Sequence, residues 1–394
     1  MLEIRAHVIR LDPTPAQEEF FRKCIGTARF AYNHALAQWM EQYKAGLKPN
    51  EANLCKELNA IKREAYPWML EVPKRVPQQA IQNLGEAFSR FFKKQSNYPK
   101  FKSKHNSRQS ARLDNGPGKF SLDGCSVKLP KIGRIKTFEE FRWPGSRPLS
   151  TVLRYEAGRW FLSVTAEIKK PVRCENQTSA GIDLGLTSTI TLSTGEKFQA
   201  PKPLKANMEK LQRAQRKLSR KVKGSQNREK QVKRVARIHW HIAQIRKDWA
   251  HKVTTEIASR FGLVCMEDLN IKGMVKNHHL SRAIFDVGWH EIVRQLSYKT
   301  KVVQVDSFYP SSKLMACCGI KLDSLSLSMR EVKCPSCGRV SDRDVNAAIN
   351  LHREGQRINT ASCAGINACG EEGSGPVRKY RLKPTSMKQE SMVA

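Results

Sequence analysis

The chain has 394 residues, 40% of them hydrophobic, which is enough for about two or three folded cores and too apolar for a disordered protein. Its 70 Lys and Arg outnumber 36 Asp and Glu, which gives a net charge of +34 at pH 7. This excess favours a polyanionic partner, and nucleic acid is the expected one; a merely basic surface is the alternative. No apolar run reaches membrane-spanning length and no signal-peptide pattern is present, so we expect a cytoplasmic protein without a membrane partner.

The first hundred residues are predicted to be mainly helical after one strand. Residues 3–13 alternate apolar and charged side chains, as strands do, and Thr14 with Gln17 then provides the capping box of a helix. A later amphipathic stretch carries cationic and amide side chains on its polar face, and such side chains can read base edges. These candidate base contacts are Lys74, Gln78, Gln79 and Gln82, with a solvated polar face as the alternative.

The middle of the chain changes from helix to strand patterns. Residues 98–115 are basic and interleaved with aromatic side chains, which suits a loop lying against a phosphate backbone. From 112 to 172 short strand patterns follow one another closely, which predicts a small β-barrel that the first strand of the chain joins.

The second half alternates strand and helix patterns. Residues 201–250 carry 16 Lys and Arg against three acids, and Gly224 with Ser225 interrupts their helical periodicity. This pattern predicts a basic helical hairpin between two apolar strands. A further helix is predicted from Asp344, and the chain after about 355 is predicted to be a flexible tail.

Three acids far apart in sequence adjoin apolar elements. Asp183 lies within the apolar strand "GIDLG", Glu267 follows the apolar run "LVCM", and Asp344 precedes "VNAAINL". A strand-end surface acid or a helix cap explains any one of them alone. Together they match the clustered carboxylates that hold Mg²⁺ for phosphodiester hydrolysis.

A cysteine-rich segment lies just before the last acid. Cys334 and Cys337 have the spacing of a zinc knuckle, and Cys318 before Gly319 fits a ligand of the partner knuckle. The remaining ligand position is occupied by Met315, which is a poor zinc ligand, and Cys317 is the nearest substitute. Three outcomes stay open: a site containing Cys317, a three-thiolate site with another ligand, or no metal.

The motifs "GIDLG", "MEDLNI", "SSK…CCG…CPSCG" and "DRDVNAAIN", in this order, resemble the RuvC-type nuclease core of the TnpB family. The upstream segments "RLDPTPAQEEFFRKCIGTARFAYNHAL" and "FSRFFKKQSNYPKFKSK" are also similar to that family, so the resemblance extends from residue 1 to about 355. It implies that Asp183, Glu267 and Asp344 are the catalytic and magnesium-binding residues, and that Asp342 shapes the turn before the last of them.

The resemblance also implies an α/β multidomain fold, with a ribonuclease-H-like (RuvC) nuclease core, an inserted zinc-ribbon-like segment, a helical recognition lobe and a small wedge-like β-barrel. The expected domains are the wedge-like barrel at 1–12 and 112–175, the helical lobe at 13–111, the nuclease domain at 176–310 and 341–355, the zinc-ribbon-like insert at 311–340 and a flexible tail at 356–394.

The activity implied by the resemblance is RNA-guided cleavage of double-stranded DNA beside a short flanking motif, with two magnesium or manganese ions in one site. The expected partners are a guide RNA encoded by the same mobile element and the DNA target, in a monomeric, prokaryotic ribonucleoprotein. Lys74, Gln78, Gln79 and Gln82 would then contact the flanking motif. The alternatives are a transposase that acts without a guide, and a nuclease-inactive RNA-guided repressor; the three intact acids speak against the repressor.

Overall fold

The computed structural model describes residues 2–104, 109–114, 120–169, 178–326 and 329–367. It divides into two compact units, the described residues of 1–171 and those of 172–378. Within these residues no helix is both long and apolar enough to cross a membrane.

The first unit contains a sheet of seven strands. They are β1 (Leu2–Asp12), β2 (Ser110–Arg112), β3 (Ser121–Asp123), β4 (Ser126–Leu129), β5 (Gly133–Thr137), β6 (Arg147–Glu156) and β7 (Arg159–Lys169). The order across the sheet is β2-β6-β7-β1-β5-β4-β3. Most of β1 pairs antiparallel with β7, and only Leu11 and Asp12 pair with β5, so the last two residues of β1 join the two parts of the sheet.

The prediction of a small closed barrel is wrong for the described residues. The outermost strands, β2 and β3, have three residues each and form no ladder with one another. A barrel needs its edge strands to pair around the whole circumference. Closely spaced strand patterns predict the strands themselves but carry no information on whether the two edges meet.

Three α-helices cover this sheet. They are α1 (Pro15–Lys44), α2 (Glu51–Ile61) and α3 (Arg75–Phe92). The predicted capping box starts α1: the Gln17 backbone N–H donates to Thr14 Oγ1, and the Thr14 backbone N–H donates to Gln17 Oε1 at 3.0 Å. Buried residues of α1, α2, α3 and the sheet form one continuous apolar core. The predicted helical lobe and the predicted strand domain therefore share a core rather than forming two separate ones.

The second unit is built around a mixed five-stranded sheet. Its strands are β8 (Ser179–Asp183), β9 (Ile190–Leu192), β10 (Lys197–Phe198), β11 (Leu263–Glu267) and β12 (Lys301–Val305). The order is β10-β9-β8-β11-β12, in which β8, β11 and β12 are parallel and β9 is antiparallel to both of its neighbours. The carboxyl ends of the three parallel strands therefore meet at one edge.

Helices flank this sheet, and a two-stranded ribbon lies between the last strand and the last helix. These elements are α4 (Pro203–Ser219), α5 (Gln226–Arg260), α6 (Ile271–Met274), α7 (His278–Val287), α8 (Trp289–Lys299), β13 (Glu331–Lys333), β14 (Val340–Asp342) and α9 (Arg343–Asn367). Helices α4 and α5 are the basic hairpin that the sequence predicts, and they pack through their own small apolar core. Ser225 caps α5, after Gly224 has taken a positive φ of 85°.

Helix α9 corrects one predicted boundary. The sequence predicts a flexible tail from 356, but α9 continues to Asn367. At the predicted boundary Gly355 lies close against Cys265 of β11, so the chain is packed on the sheet at this point and remains helical beyond it. Residues 368–394 of the predicted tail lie outside the described part of the chain.

Candidate active site

Two of the three predicted acids end neighbouring parallel strands. Asp183 is the last residue of β8, and Glu267 is the last residue of β11. The ladder between these strands pairs Ile182 with Met266, so the two acids that follow lie next to each other at the carboxyl edge. Both preceding residues are fully buried, which fixes the strand ends in the core.

Helix α9 brings the third acid to the same edge. Gly181 of β8 faces the Ala348 carbonyl and the His352 backbone N of α9, and a Cβ at residue 181 would overlap both. Further along, the Ser179 hydroxyl lies 2.8 Å from His352 Nε2. The helix therefore runs antiparallel to β8, and Asp344, one turn before Ala348, lies at the level of the end of that strand.

The three carboxylates interact electrostatically. Burial raises the pKa of Asp183 to about 7, and the negative charges of Asp344 and Glu267 act in the same direction, while the positive charge of Arg343 opposes them. Burial also raises the pKa of Glu267, with a further contribution from Asp268. A half-buried cluster of like charges is costly, and a bound cation relieves that cost.

The donor set fits a hard divalent cation, because carboxylate oxygens are the ligands that Mg²⁺ prefers. The convergence is looser than in a preformed single-ion cage. Among the described residues, the one group of three or more acidic, Cys or His ligand atoms that all lie within 4.8 Å of one another is a cysteine cluster. A site for two ions about 3.5–4 Å apart spreads its ligands over both ions and does not require such mutual proximity.

Asp342 stabilises the start of α9, and both of its carboxylate oxygens accept hydrogen bonds from the protein, which does not favour a role as a metal ligand. Its Oδ1 accepts the backbone N–H groups of Asp344 and Val345, each at 3.0 Å. Its Oδ2 accepts from Lys197 Nζ at 2.6 Å. Burial acts to raise the pKa of Asp342, but the hydrogen bonds from Lys197 and from these backbone groups outweigh it and lower the pKa. Asp342 thus shapes the turn before Asp344, as the resemblance implied.

The structure adds positioning residues that the sequence did not single out. Lys197 lies on β10, far from Asp342 in sequence, and nothing in its local pattern indicates the pair. The Trp289 indole N–H donates to the Gly185 carbonyl at 3.3 Å, just after Asp183, and this ring is buried. Both contacts link the acids to elements that only the folded sheet brings together.

Four cysteine thiols converge in the segment that precedes α9. The sulfur atoms of Cys317, Cys318, Cys334 and Cys337 all lie within 4.8 Å of one another. Of the three outcomes that the sequence left open, the structure therefore agrees with a site that contains Cys317. Four thiolates in this arrangement suit tetrahedral Zn²⁺.

Met315 is explained by packing rather than by ligation. It is fully buried and forms a small core with Val332 and Cys334, against which Leu322 and Leu325 pack. The backbone N–H of Cys337 lowers the pKa of the Cys334 thiol to about 7, although burial opposes this shift. A thiol that ionises readily is a better metal ligand.

The candidate base-reading residues lie at and along the start of α3. Lys74 and Gln82 are exposed, while Gln78 and Gln79 are half-buried. Gln79 is already engaged, since its Oε1 accepts from Arg112 at 2.8 Å and its Nε2 donates to Asn83 at 3.1 Å. The other three side chains form no hydrogen bond within the described residues, so their role stays a prediction.

Comparisons with known families cover most of the chain. A model described as "Probable transposase" (OrfB_IS605) matches residues 162–278, one described as "Cas12f1-like, TNB domain" matches 289–351, and one described as "Helix-turn-helix domain" matches 1–48. The last of these ranges contains one strand and one unbroken helix, α1, before its final residues.

Relatives and one solved structure are similar over nearly the full length. A Streptomyces pristinaespiralis protein named "Putative RNA-guided DNA endonuclease" is 37% identical, over 98% of this chain and 96% of its own. "Putative RNA-guided DNA endonuclease InsQ" of Escherichia coli is 31% identical, over 99% of both. The fold is similar to that in "Cryo-EM structure of the Cas12f1-sgRNA-target DNA complex", with a TM-score of 0.54 and 14% identity over 86% of this chain and 83% of that one. The chain belongs to the TnpB (IS605 OrfB) transposase family.

Proposed function

We propose that the chain is an RNA-guided DNA endonuclease that cleaves double-stranded DNA beside a short flanking motif. The observation that carries the proposal is the approach of Asp183, Glu267 and Asp344 to one another at the carboxyl ends of the parallel strands β8 and β11, where the charges of the other two help to raise the pKa of Asp183. The names of the two relatives, which match over nearly the whole chain, support the same activity.

Asp183, Glu267 and Asp344 would hold two Mg²⁺ ions, with Mn²⁺ able to replace them. Bound ions of this kind activate a water molecule and stabilise the leaving oxygen of a phosphodiester. The protein's own contribution is to fix the acids: β8 and β11 aim two of them, and Asp342 holds the helix start that carries the third. Arg343 offsets part of their mutual repulsion.

The arrangement of the second unit supports a ribonuclease-H-like core. A central strand, β8, has an antiparallel strand on one side and two parallel strands in succession on the other, and a helix crosses the sheet to deliver the last acid. The cysteine cluster just before that helix supports a structural Zn²⁺ that stiffens the segment leading to Asp344.

The net charge of +34 supports nucleic acid as the partner, with a guide RNA and a DNA target together supplying the negative charge. In such a complex, base pairing between guide and target carries most of the sequence specificity, and the protein holds the duplex by its backbone. The basic hairpin α4–α5, whose outer faces are largely exposed, offers a long cationic surface for those phosphate contacts.

Purification followed by RNA sequencing and plasmid cleavage tests the proposal. We expect one RNA species to copurify. A plasmid that carries a target complementary to the end of this RNA, next to a randomised flanking sequence, should be cleaved in a Mg²⁺-dependent reaction. The Asp183→Ala protein should retain the RNA and leave the plasmid intact. Cleavage by RNA-free protein would favour a guide-independent transposase, and unchanged cleavage by Asp183→Ala would refute the assignment of the acids.

A further inference from the structure

The first unit contains a cavity of about 180 Å³ that involves neither the acids nor the cysteines. It lies between α1, α3 and the segment leading into β2. Its polar lining consists of three cations, three amide side chains and the Ser110 hydroxyl, with no carboxylate. The cations and amides are Arg29, Gln79, Asn83, Lys102, Gln109 and Arg112.

The cations of this cavity are incompletely neutralised. Arg112 Nε donates to both carboxylate oxygens of the buried Asp114, at 2.9 and 3.1 Å, so its charge is balanced. Arg29 and Lys102 have no carboxylate partner within the described ranges. The Lys102 ammonium lies 3.8 Å from the centre of the Tyr32 ring, and burial lowers its pKa. A partly buried cation without a counter-charge is stabilised by an anionic ligand.

The position of Lys102 is fixed by the backbone. The Asn33 side chain donates to the Lys102 carbonyl at 2.9 Å and accepts from its backbone N–H at 2.8 Å. This pair of hydrogen bonds ties an otherwise irregular basic segment to α1. These bonds fix the Lys102 backbone beside the cavity, and the contact of the ammonium with the Tyr32 ring restrains the side chain.

The amides supply hydrogen-bonding edges beside the cations. Gln79 connects Arg112 to Asn83, and Gln109 Oε1 accepts from Arg29 at 3.4 Å. The Asn83 side-chain nitrogen has no protein acceptor in the described part of the chain. An amide with a free edge can pair with the donors and acceptors of a nucleobase.

The remaining wall is apolar and the space is limited. Apolar side chains from α1, α3, β2 and β6 complete the lining, and they are Ile25, Ala28, Val76, Ala80, Ala111 and Val152. A cavity of about 150 Å³ holds one benzene-sized ring. The cavity therefore suits one six-membered heterocycle better than a fused bicyclic one.

We propose that this cavity binds one unstacked pyrimidine nucleotide of the bound nucleic acid. The base lies against the apolar wall with its edge on Asn83, and its phosphate pairs with Lys102 and Arg29. The inference rests on the proposed function only in taking nucleic acid as the partner. The nucleotide belongs either to the copurifying RNA or to a DNA strand, and the chemistry of the cavity is the same for both.

Site-specific photocrosslinking distinguishes these two sources. The ribonucleoprotein is reconstituted with 5-iodouridine in the RNA in one arm, and with 5-iododeoxyuridine in the DNA strands in the other. After irradiation and digestion, mass spectrometry locates the crosslinked peptides. We expect one arm to give crosslinks within residues 76–83 or 98–104, and the other arm to give none there. Absence of crosslinks to both segments in both arms would overturn the proposal.

Matched variants separate a binding role from general charge. Lys102→Met and Asn83→Leu should each reduce these crosslinks at least five-fold. Lys100→Met removes an exposed lysine of the same segment that does not line the cavity, and it should leave them unchanged. Equal loss in all three proteins would contradict the proposal, because it would reflect charge rather than the cavity. Thermal unfolding and RNA retention of each variant show whether it still folds.

The cleavage activity of the wild-type protein in the same preparation distinguishes failure of the cavity proposal from failure of the endonuclease proposal. Intact cleavage without these crosslinks would refute the cavity assignment alone. If no RNA copurifies and no cleavage occurs, the full-length protein is titrated with uridine 5′-monophosphate and adenosine 5′-monophosphate by saturation-transfer NMR. The cavity predicts saturable binding of the uridine nucleotide, at least ten-fold weaker in Lys102→Met, with weaker binding of the adenosine nucleotide. No saturable binding would refute it independently of the endonuclease proposal.

Discussion

Replacing Gly181 by alanine should separate helix α9 from β8 and displace Asp344 from the other two acids. The added Cβ would overlap the Ala348 carbonyl and lie 2.7 Å from the backbone N and 2.8 Å from the Cβ of His352. An ordinary contact begins at 3.4 Å, so the helix must withdraw by at least 0.7 Å. The opposing atoms are mainly backbone, and no side-chain rotation can relieve the overlap.

Overpacking of this kind costs about 3 kcal/mol, which lowers the melting temperature of a unit of this size by about 6–12 °C. Misplacement of a catalytic group by about 1 Å costs about 100-fold in rate. We therefore expect the Gly181→Ala ribonucleoprotein to cleave a guide-matched plasmid about 30- to 100-fold more slowly than wild type. The assay is single-turnover cleavage at saturating Mg²⁺, below the melting temperature of the variant.

Gly26→Ala is the matched control, since a Cβ at that position of α1 meets nothing within 4 Å. Alanine is the better helix former by about 1 kcal/mol, so this variant should be at least as stable as wild type and should cleave at the same rate. Cleavage by the Gly181→Ala protein at the wild-type rate would refute the reasoning, because it would mean that α9 does not depend on close contact with β8 to place Asp344.

Three further predictions concern the acids, their support and the cysteines. Without metal, the raised pKa of Asp183 makes the folded protein bind its proton more tightly than the unfolded chain, so the free energy of unfolding should fall as pH rises from about 4 to 7. Urea titrations should show a shallower fall for Asp183→Asn, and an equal slope would contradict the burial of this carboxyl. Lys197→Met removes the 2.6 Å hydrogen bond to Asp342 and should slow cleavage about five- to ten-fold without changing the KM for DNA. Lys197→Arg should cleave at a rate closer to that of wild type. A change in KM alone would indicate that Lys197 contributes to DNA binding instead. Metal analysis should find one zinc per chain in wild type and in Met315→Leu but none in Cys337→Ser, and a zinc-free wild type would refute the site.

Local signals in the sequence predicted the elements that carry function. The capping residues Thr14 and Gln17 gave the start of α1, and the interruption at Gly224 gave the turn of the basic hairpin. These features act within a few residues of the chain, which is why pattern and propensity suffice for them. The apolar patterns that end in Asp183 and Glu267 were likewise sufficient to predict two strands.

Features that depend on distant residues could not be predicted in this way. Closure of a barrel depends on the pairing of β2 with β3, which the strand patterns do not encode. The pair of Lys197 with Asp342 joins residues 145 positions apart. Met315 at an expected ligand position left the cysteine site open, and only the folded ribbon shows that this side chain fills a small core while Cys317 joins the other thiols.

Electron paramagnetic resonance of Mn²⁺ bound to the purified ribonucleoprotein tests the central claim most directly. If Asp183, Glu267 and Asp344 form one divalent-cation site, wild type should bind two Mn²⁺ ions with a dipolar-coupled spectrum, and each of the Asp183→Asn, Glu267→Gln and Asp344→Asn proteins should lose that coupled signal. Retention of the coupled pair in any one of the three variants would contradict the account, because the residue replaced would then lie outside the site.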